Sequence, residues 1–206
     1  MTEKEIPDIV VGRLPRYLQA LEHMHRTGQQ STSSQELGDL IGISAAQIRK
    51  DLSQYGEFGK QGKGYAVKFL VEQLQQILKV NRLWDLALVG AGNLGHAIAN
   101  YQGFASHGFR IKLVFDNDPQ RVGTLLGNLP VQHTSEMGVQ IAKENIKIAM
   151  LTVPALAAQS VTDQLITAGV RSILNYAPIT LSVPEIVHVQ YVDPIIYLQR
   201  MTYYLD

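Results

Sequence analysis

The chain contains no cysteine, which excludes disulfides, thiolate metal ligands and thiol redox switching. It carries no net charge, because 18 Lys and Arg balance 18 Asp and Glu. Any nucleic-acid surface therefore has to be a local patch. No apolar run nears the roughly 18 residues of a membrane span. The charged start, Met1 to Glu5, has no signal-peptide apolar stretch. A cytoplasmic protein with no membrane partner is the expectation. Internal repeats and low-complexity tracts are missing too. What remains is globular: 46% hydrophobic and 17% charged residues over 206 positions, enough for two small domains.

The most informative stretch is Leu86-Ala87-Leu88-Val89-Gly90-Ala91-Gly92-Asn93-Leu94-Gly95. It is an apolar run that breaks into a G-x-G-x-x-G turn and continues as a helix. A second apolar run ends on Asp116, 21 residues past Gly95. That is close to the spacing of about 20 in a dinucleotide site. Gly90 allows the tight turn, Gly92 lets a pyrophosphate approach the backbone, and Gly95 lets helix and strand pack closely. A helix from Asn93 would aim its free N–H groups at the phosphates. Asp116, followed by Asn117, can accept hydrogen bonds from the adenosine ribose and would repel a 2′-phosphate, favouring NAD(H). Coenzyme A can use the same turn.

Upstream, Leu14, Tyr17, Leu18, Leu21 and Met24 form one helical stripe, with Pro15 tolerated in the first turn. Residues 1–12 read as a loose leader. Ser33 or Ser34 can cap a second helix that Gly42 ends, and Ser44 can cap a third, from 45 to about 55. Two short helices around a glycine turn read as a helix-turn-helix. The third helix turns Gln47, Arg49, Lys50 and Gln54 away from Ile48 and Leu52. Arg can read guanine and Gln adenine in the major groove. The glycine-rich stretch 56–67 reads as two strands of a wing, with Lys60 and Lys63 at its tip. Between Gly42 and Lys68, five basic residues face two acidic ones. Solvated charge alone is the plainer explanation of such an excess; the wing and the helix spacing favour DNA.

From 84 onward the pattern alternates: strand 86–90, helix 93–104, strand 109–116, strand 146–152, helix 155–168, strand 171–176 and strand 186–192. Such alternation predicts an α/β fold with a doubly wound parallel sheet. Ligands in such sheets bind beyond the strands' carboxyl ends, so Thr152-Val153-Pro154 and Asn175-Tyr176-Ala177-Pro178 become candidates. Both also read simply as strand-ending turns. Tyr101, on the first crossover helix, can reach a nicotinamide or be an ordinary core residue. A last apolar helix, after Asp193-Pro194, needs a surface to bury against. The domains are 1–80, 81–193 and 194–206. None of the six histidines (His23, His25, His96, His107, His133, His188) has a partner at catalytic spacing. An NAD-dependent dehydrogenase therefore stands as an alternative only, beside a coenzyme A-binding module; no catalytic residue and no metal ligand is expected.

Ser44 through Gly56, joined to Gly59-Lys60-Gln61-Gly62-Lys63-Gly64-Tyr65, resembles the Rex redox-sensing transcriptional repressors. So do Asn81-Arg82-Leu83-Trp84 running into Gly90, Leu151-Thr152-Val153-Pro154, and Ile173 through Pro178. The resemblance covers about residues 10–206. It implies an N-terminal winged helix followed by a Rossmann-like domain. It implies a homodimeric repressor that senses the NADH/NAD+ ratio and leaves its operator when NADH binds. It places Ser44, Gln61 and Tyr65 with the DNA-facing residues. It also implies a C-terminal helix swapped into the partner subunit, an Arg13–Asp193 pair in the DNA-bound form, and a switching role for Tyr101. Gln61 stands where relatives often carry a basic wing residue, and Pro194 where some carry an aromatic.

Overall fold

The computed structural model describes residues 6–58 and 64–205. The chain divides into two compact units, Met1–Arg82 and Leu83–Asp206.

The first unit begins with α1 (Asp8–Val11), a single turn with Val10 buried. The stretch expected to be a loose leader is therefore helical at 8–11, where Val10 is buried. α2 (Leu14–Arg26) buries the predicted stripe, including fully buried Leu14, Tyr17 and Leu21. Then follow β1 (Ser31–Thr32), α3 (Ser34–Ile41), α4 (Ala45–Leu52), β2 (Tyr65–Ala66) and α5 (Val67–Ile77). Leu37, Ile48, Leu52, Val67, Leu70 and Leu74 join the α2 stripe in one core. α4 stops at Leu52, shorter than the sequence suggests, and 53–58 holds no strand. β2 runs antiparallel to β1, matching Thr32 with Tyr65, a longer-range pair than a local hairpin. The expected wing tip, with Lys60, Gln61 and Lys63, lies outside the described residues.

The second unit is a seven-stranded sheet. In chain order it runs β3 (Trp84–Val89), α6 (Asn93–Ala99), β4 (Phe109–Asp116), β5 (Leu125–Leu126), β6 (Leu129–His133), α7 (Met137–Lys143), β7 (Ile148–Leu151), α8 (Ala155–Thr167), β8 (Ser172–Asn175), β9 (His188–Tyr191) and α9 (Pro194–Thr202). The spatial order is β5-β6-β4-β3-β7-β8-β9, parallel throughout except for edge strand β5. β3 is central, and strand order reverses there. Its residues alternate between two apolar layers: Leu86 and Leu88 pack with Ile98, Val114 and Met150, whereas Ala87 and Val89 pack with Phe115, Ile141 and Ala158. A strand buried on both faces reads as the continuous apolar run seen in the sequence.

Three elements were not anticipated. β5 and β6 are short, and Pro130 interrupts the strand signal; it is tolerated where β6 pairs with the edge. α7 spans only seven residues and shows little more than Met137 and Ile141 at i, i+4. α6 ends at Ala99, five residues early. There the Asn100 side chain turns back to donate to the His96 carbonyl at 2.8 Å, competing with the helix.

Candidate functional site

The glycine turn sits where the sheet reverses order. Gly90 has φ +102°, and its N–H donates to the Phe115 carbonyl at 2.8 Å. Thr152, following the neighbouring strand β7, donates its hydroxyl to the carbonyls of Val89 (3.0 Å) and Gly90 (2.8 Å). The turn is therefore stitched to strands on both sides. A side chain at Gly95 would overlap the Gly90 carbonyl, so glycine is required for that approach. At Gly92 an added Cβ would meet nothing nearer than the Arg121 guanidinium at 4.0 Å. The backbone there is open to a ligand. No side chain caps α6.

Asp116 is buried, at 4% exposure. Its Oδ2 accepts the Ala91 N–H at 2.6 Å, and its Oδ1 accepts the Asp118 N–H at 2.8 Å. Arg121 lies 3.3 Å from Oδ2. Burial pushes this carboxyl up; the Asp118 and Ala91 amides and Arg121 outweigh it and hold the group below the usual carboxylate range. The acid stays ionised and organises the turn.

A cleft of about 900 Å³ opens over this turn. Of the expected residues, Gly90, Gly92, Leu94, Asp116, Asn117, Thr152, Val153, Pro154 and Tyr176 line it. Ala91 contributes its amide to Asp116, Asn93 starts α6, and Gly95 packs beneath the turn. The other three residues of the second loop do structural work instead. Asn175 is buried; its Oδ1 accepts the Ala177 N–H and its Nδ2 donates to the Ala177 and Ile179 carbonyls. Ala177 joins the core and Pro178 is exposed. Tyr101 lies beyond the end of α6, 61% exposed and edge-on to Phe104; it does not line the cleft, because the helix expected to carry it stops at Ala99.

Sequence reasoning missed several contributors, among them Val89, Asp118, Pro119 and Thr134. Arg121, five residues past the acid, stands at the mouth of the cleft. One face of α8 (Ala157, Ser160, Val161, Gln164) forms a wall. The i, i+3, i+4, i+7 spacing of that face was legible, but not which side it turned to the cleft.

The first unit presents the second candidate surface. Ser33 accepts the Glu36 N–H and Ser44 the Gln47 N–H, so both helices of the pair are capped. Gly42 takes the left-handed conformation between them, φ +71°. Lys50 is exposed on α4. Arg49 donates to the Ser34 hydroxyl at 2.9 Å, bracing α4 against α3. Gln54 and Tyr65 are half-buried, and Tyr65 packs against the core. Gln47 donates to Asp51 at 2.7 Å.

Asp51 is fully buried and also accepts from Arg13 Nε (2.6 Å), Arg13 Nη2 (2.8 Å) and the Tyr17 hydroxyl (2.6 Å). Burial pushes its carboxyl up, but hydrogen bonds from Arg13, Tyr17 and Gln47 outweigh it and hold it below the usual range. The carboxylate partner of Arg13 here is Asp51, within the same unit; the Arg13–Asp193 pair that the resemblance implies belongs to the DNA-bound dimer. Asp193 caps α9 by accepting the Ile195 N–H at 2.9 Å. α9 buries none of its residues: Ile195, Ile196, Tyr197, Leu198 and Met201 are all exposed. Among the described residues no cluster of three or more His, Asp or Glu could hold a metal, and no helix is long and apolar enough to cross a membrane.

Two family models match the chain: a CoA binding domain over residues 81–179 and a putative DNA-binding protein N-terminus over 5–53. Along nearly its whole length the chain is similar to proteins named redox-sensing transcriptional repressor Rex. That of Roseiflexus sp. (strain RS-1) is 50% identical, over 98% of this chain and 92% of the relative. That of Brevibacillus brevis is 45% identical over 98% of both. Among solved structures, the Rex-family repressor RSP in complex with NAD+ and operator DNA superposes with TM-score 0.92 at 37% identity, over 98% of this chain and 93% of that one. RSP in complex with NADH superposes with TM-score 0.89 at 35% identity, over 98% and 95%.

Proposed function

Because the chain belongs to the Rex family of redox-sensing transcriptional repressors, we propose that it represses transcription by binding operator DNA when NADH is scarce, and lets go when NADH fills the cleft of its second unit. The observation that carries this is one chain holding two distinct devices: a capped helix-turn-helix in the first unit and an open glycine turn with a buried acid in the second.

The residues fit the dinucleotide. The space over Gly92 admits a pyrophosphate, and the ordered Asp116 carboxylate has lone pairs left for ribose hydroxyls. Val153, Pro154, Ala157 and Val161 offer apolar cover. The bound cofactor supplies a nicotinamide ring whose charge depends on its redox state. An apolar setting disfavours the charged ring, because desolvating it is costly, so NADH binds more tightly than NAD+. By linkage, NADH then lowers DNA affinity by the factor by which DNA lowers NADH affinity. The protein is a regulator, not an enzyme, as its relatives are; neither the dehydrogenase nor the coenzyme A reading is favoured.

The working form in this proposal is a cytoplasmic homodimer. The exposed apolar residues of α9 need a partner surface, and exchange of this helix between subunits supplies one. Two DNA-binding units held at one spacing then match a palindromic operator. Titrating operator complexes with NADH and with NAD+, read by fluorescence anisotropy at fixed salt, tests the proposal. NADH is expected to release DNA at far lower concentration; equal potency of the two nucleotides rejects redox sensing.

A further inference from the structure

Gln47 is the third residue of α4, within the first turns that a recognition helix sends into the major groove. A free glutamine amide can present its carbonyl or its amino group, and so distinguishes bases poorly until something orients it. Here something does. Gln47 Nε2 donates to Asp51 Oδ1 at 2.7 Å, one helical turn away. An ionised carboxylate only accepts hydrogen bonds, so the amino end of the amide has to face it. The carbonyl end, Oε1, points elsewhere and has no donor among the described residues.

Asp51 does not need Gln47 for its own sake. Arg13 engages both of its oxygens and neutralises its charge, and the Tyr17 hydroxyl adds a third donor. The carboxylate is anchored by Tyr17 of α2 and by Arg13, which immediately precedes that helix. It acts as a fixed, buried acceptor against which the half-buried Gln47 amide is set.

We propose that Asp51 is a specificity-positioning residue: it orients the Gln47 amide so that α4 offers the major groove a hydrogen-bond acceptor. That acceptor selects a base carrying an exocyclic amine at the groove edge, adenine N6 or cytosine N4. It opposes guanine and thymine, whose O6 and O4 would set acceptor against acceptor. The inference rests on reading α4 as the recognition helix.

The test is selection of full-length protein, without NADH, on a palindromic duplex pool randomised in both half-sites, scored for base preference at every position. The wild type is expected to favour amino-bearing bases at one symmetric position by about tenfold. Gln47→Met should erase that preference and leave the other positions unchanged. Asp51→Asn gives residue 51 an amino group that lets the amide turn over, so guanine and thymine should gain at the same position. The double variant should match Gln47→Met. Tyr17→Phe removes a donor without freeing Gln47 and should leave the preferences intact.

Side-chain amide NMR of the wild-type complex gives a readout independent of variant folding. The Gln47 amino group is expected to stay bonded to Asp51 on DNA. Its release there, a Gln47→Met pattern identical to wild type, or an Asp51→Asn variant weaker on all sequences alike would each overturn the proposal. A wild type that enriches no sequence overturns the recognition-helix reading and this inference with it.

Discussion

The Asp116 carboxylate accepts the Ala91 amide across 25 residues of chain, at 2.6 Å. The acid expected to meet the ribose is thus also the clasp of the glycine turn. Under the proposed function two roles share one side chain: Oδ1 keeps a lone pair beside its bond from Asp118, while Arg121 also donates to Oδ2, at 3.3 Å.

Asp116→Ala should therefore loosen the turn and remove the ribose acceptor together. Losing charged hydrogen bonds of about 1.5–3 kcal/mol predicts NADH affinity lower by about 10- to 100-fold. DNA binding without NADH should persist. Isothermal titration with NADH, beside operator binding by anisotropy, checks this; loss of both activities would mean the fold had failed.

Gly95→Ala puts a methyl group into the Gly90 carbonyl. The neighbour is backbone stitched to Thr152, so it cannot yield cheaply. The second unit should lose about 1–3 kcal/mol of stability and most of its NADH response, while the first unit keeps its melting behaviour. Fluorescence of Trp84, the single tryptophan, reports the second unit during urea unfolding.

Ser44→Ala removes the cap of α4, which accepts the Gln47 N–H at 3.2 Å. A loss of about 1 kcal/mol is expected, with weaker operator binding and unchanged NADH affinity. Circular dichroism melts and anisotropy would show it. Ser44→Asp should restore most of the loss, because aspartate also caps well.

Acid should destabilise both units. Asp51 and Asp116 both lie below the usual carboxylate range when folded. The unfolded chain therefore binds more protons, and stability rises with pH through this window. Their contribution is complete above about pH 5 and fades as pH falls through about 4 toward the depressed values. In Asp51→Asn the acid-side slope of first-unit unfolding should be shallower; an unchanged slope refutes the assignment.

Removal of residues 194–206 should leave the second unit folded, since α9 buries none of its own residues. If α9 is the dimerising element, the truncated chain sediments as a monomer. It should still bind NADH at the cleft but lose tight palindrome binding. A truncated chain that remains dimeric places the interface elsewhere.

Much of this protein was legible in its sequence. The stripe of α2, a serine cap at 33 or 34, the Ser44 cap, the left-handed Gly42, the glycine turn and the acid closing β4 are local signals. Each is written within a turn or two of helix, or within one β-α-β unit, where periodicity, capping chemistry and backbone freedom act directly.

Tertiary structure decided the partners. Nothing local says that Arg13 meets Asp51, 38 residues away, or that β2 pairs with the segment before α3. Nothing local says that Asn175 folds its loop while Tyr176 faces the cleft, or that Arg121 and one face of α8 complete the wall. Those outcomes depend on which surfaces the topology brings together, and on the demand that every buried charge and amide find a partner once water is gone.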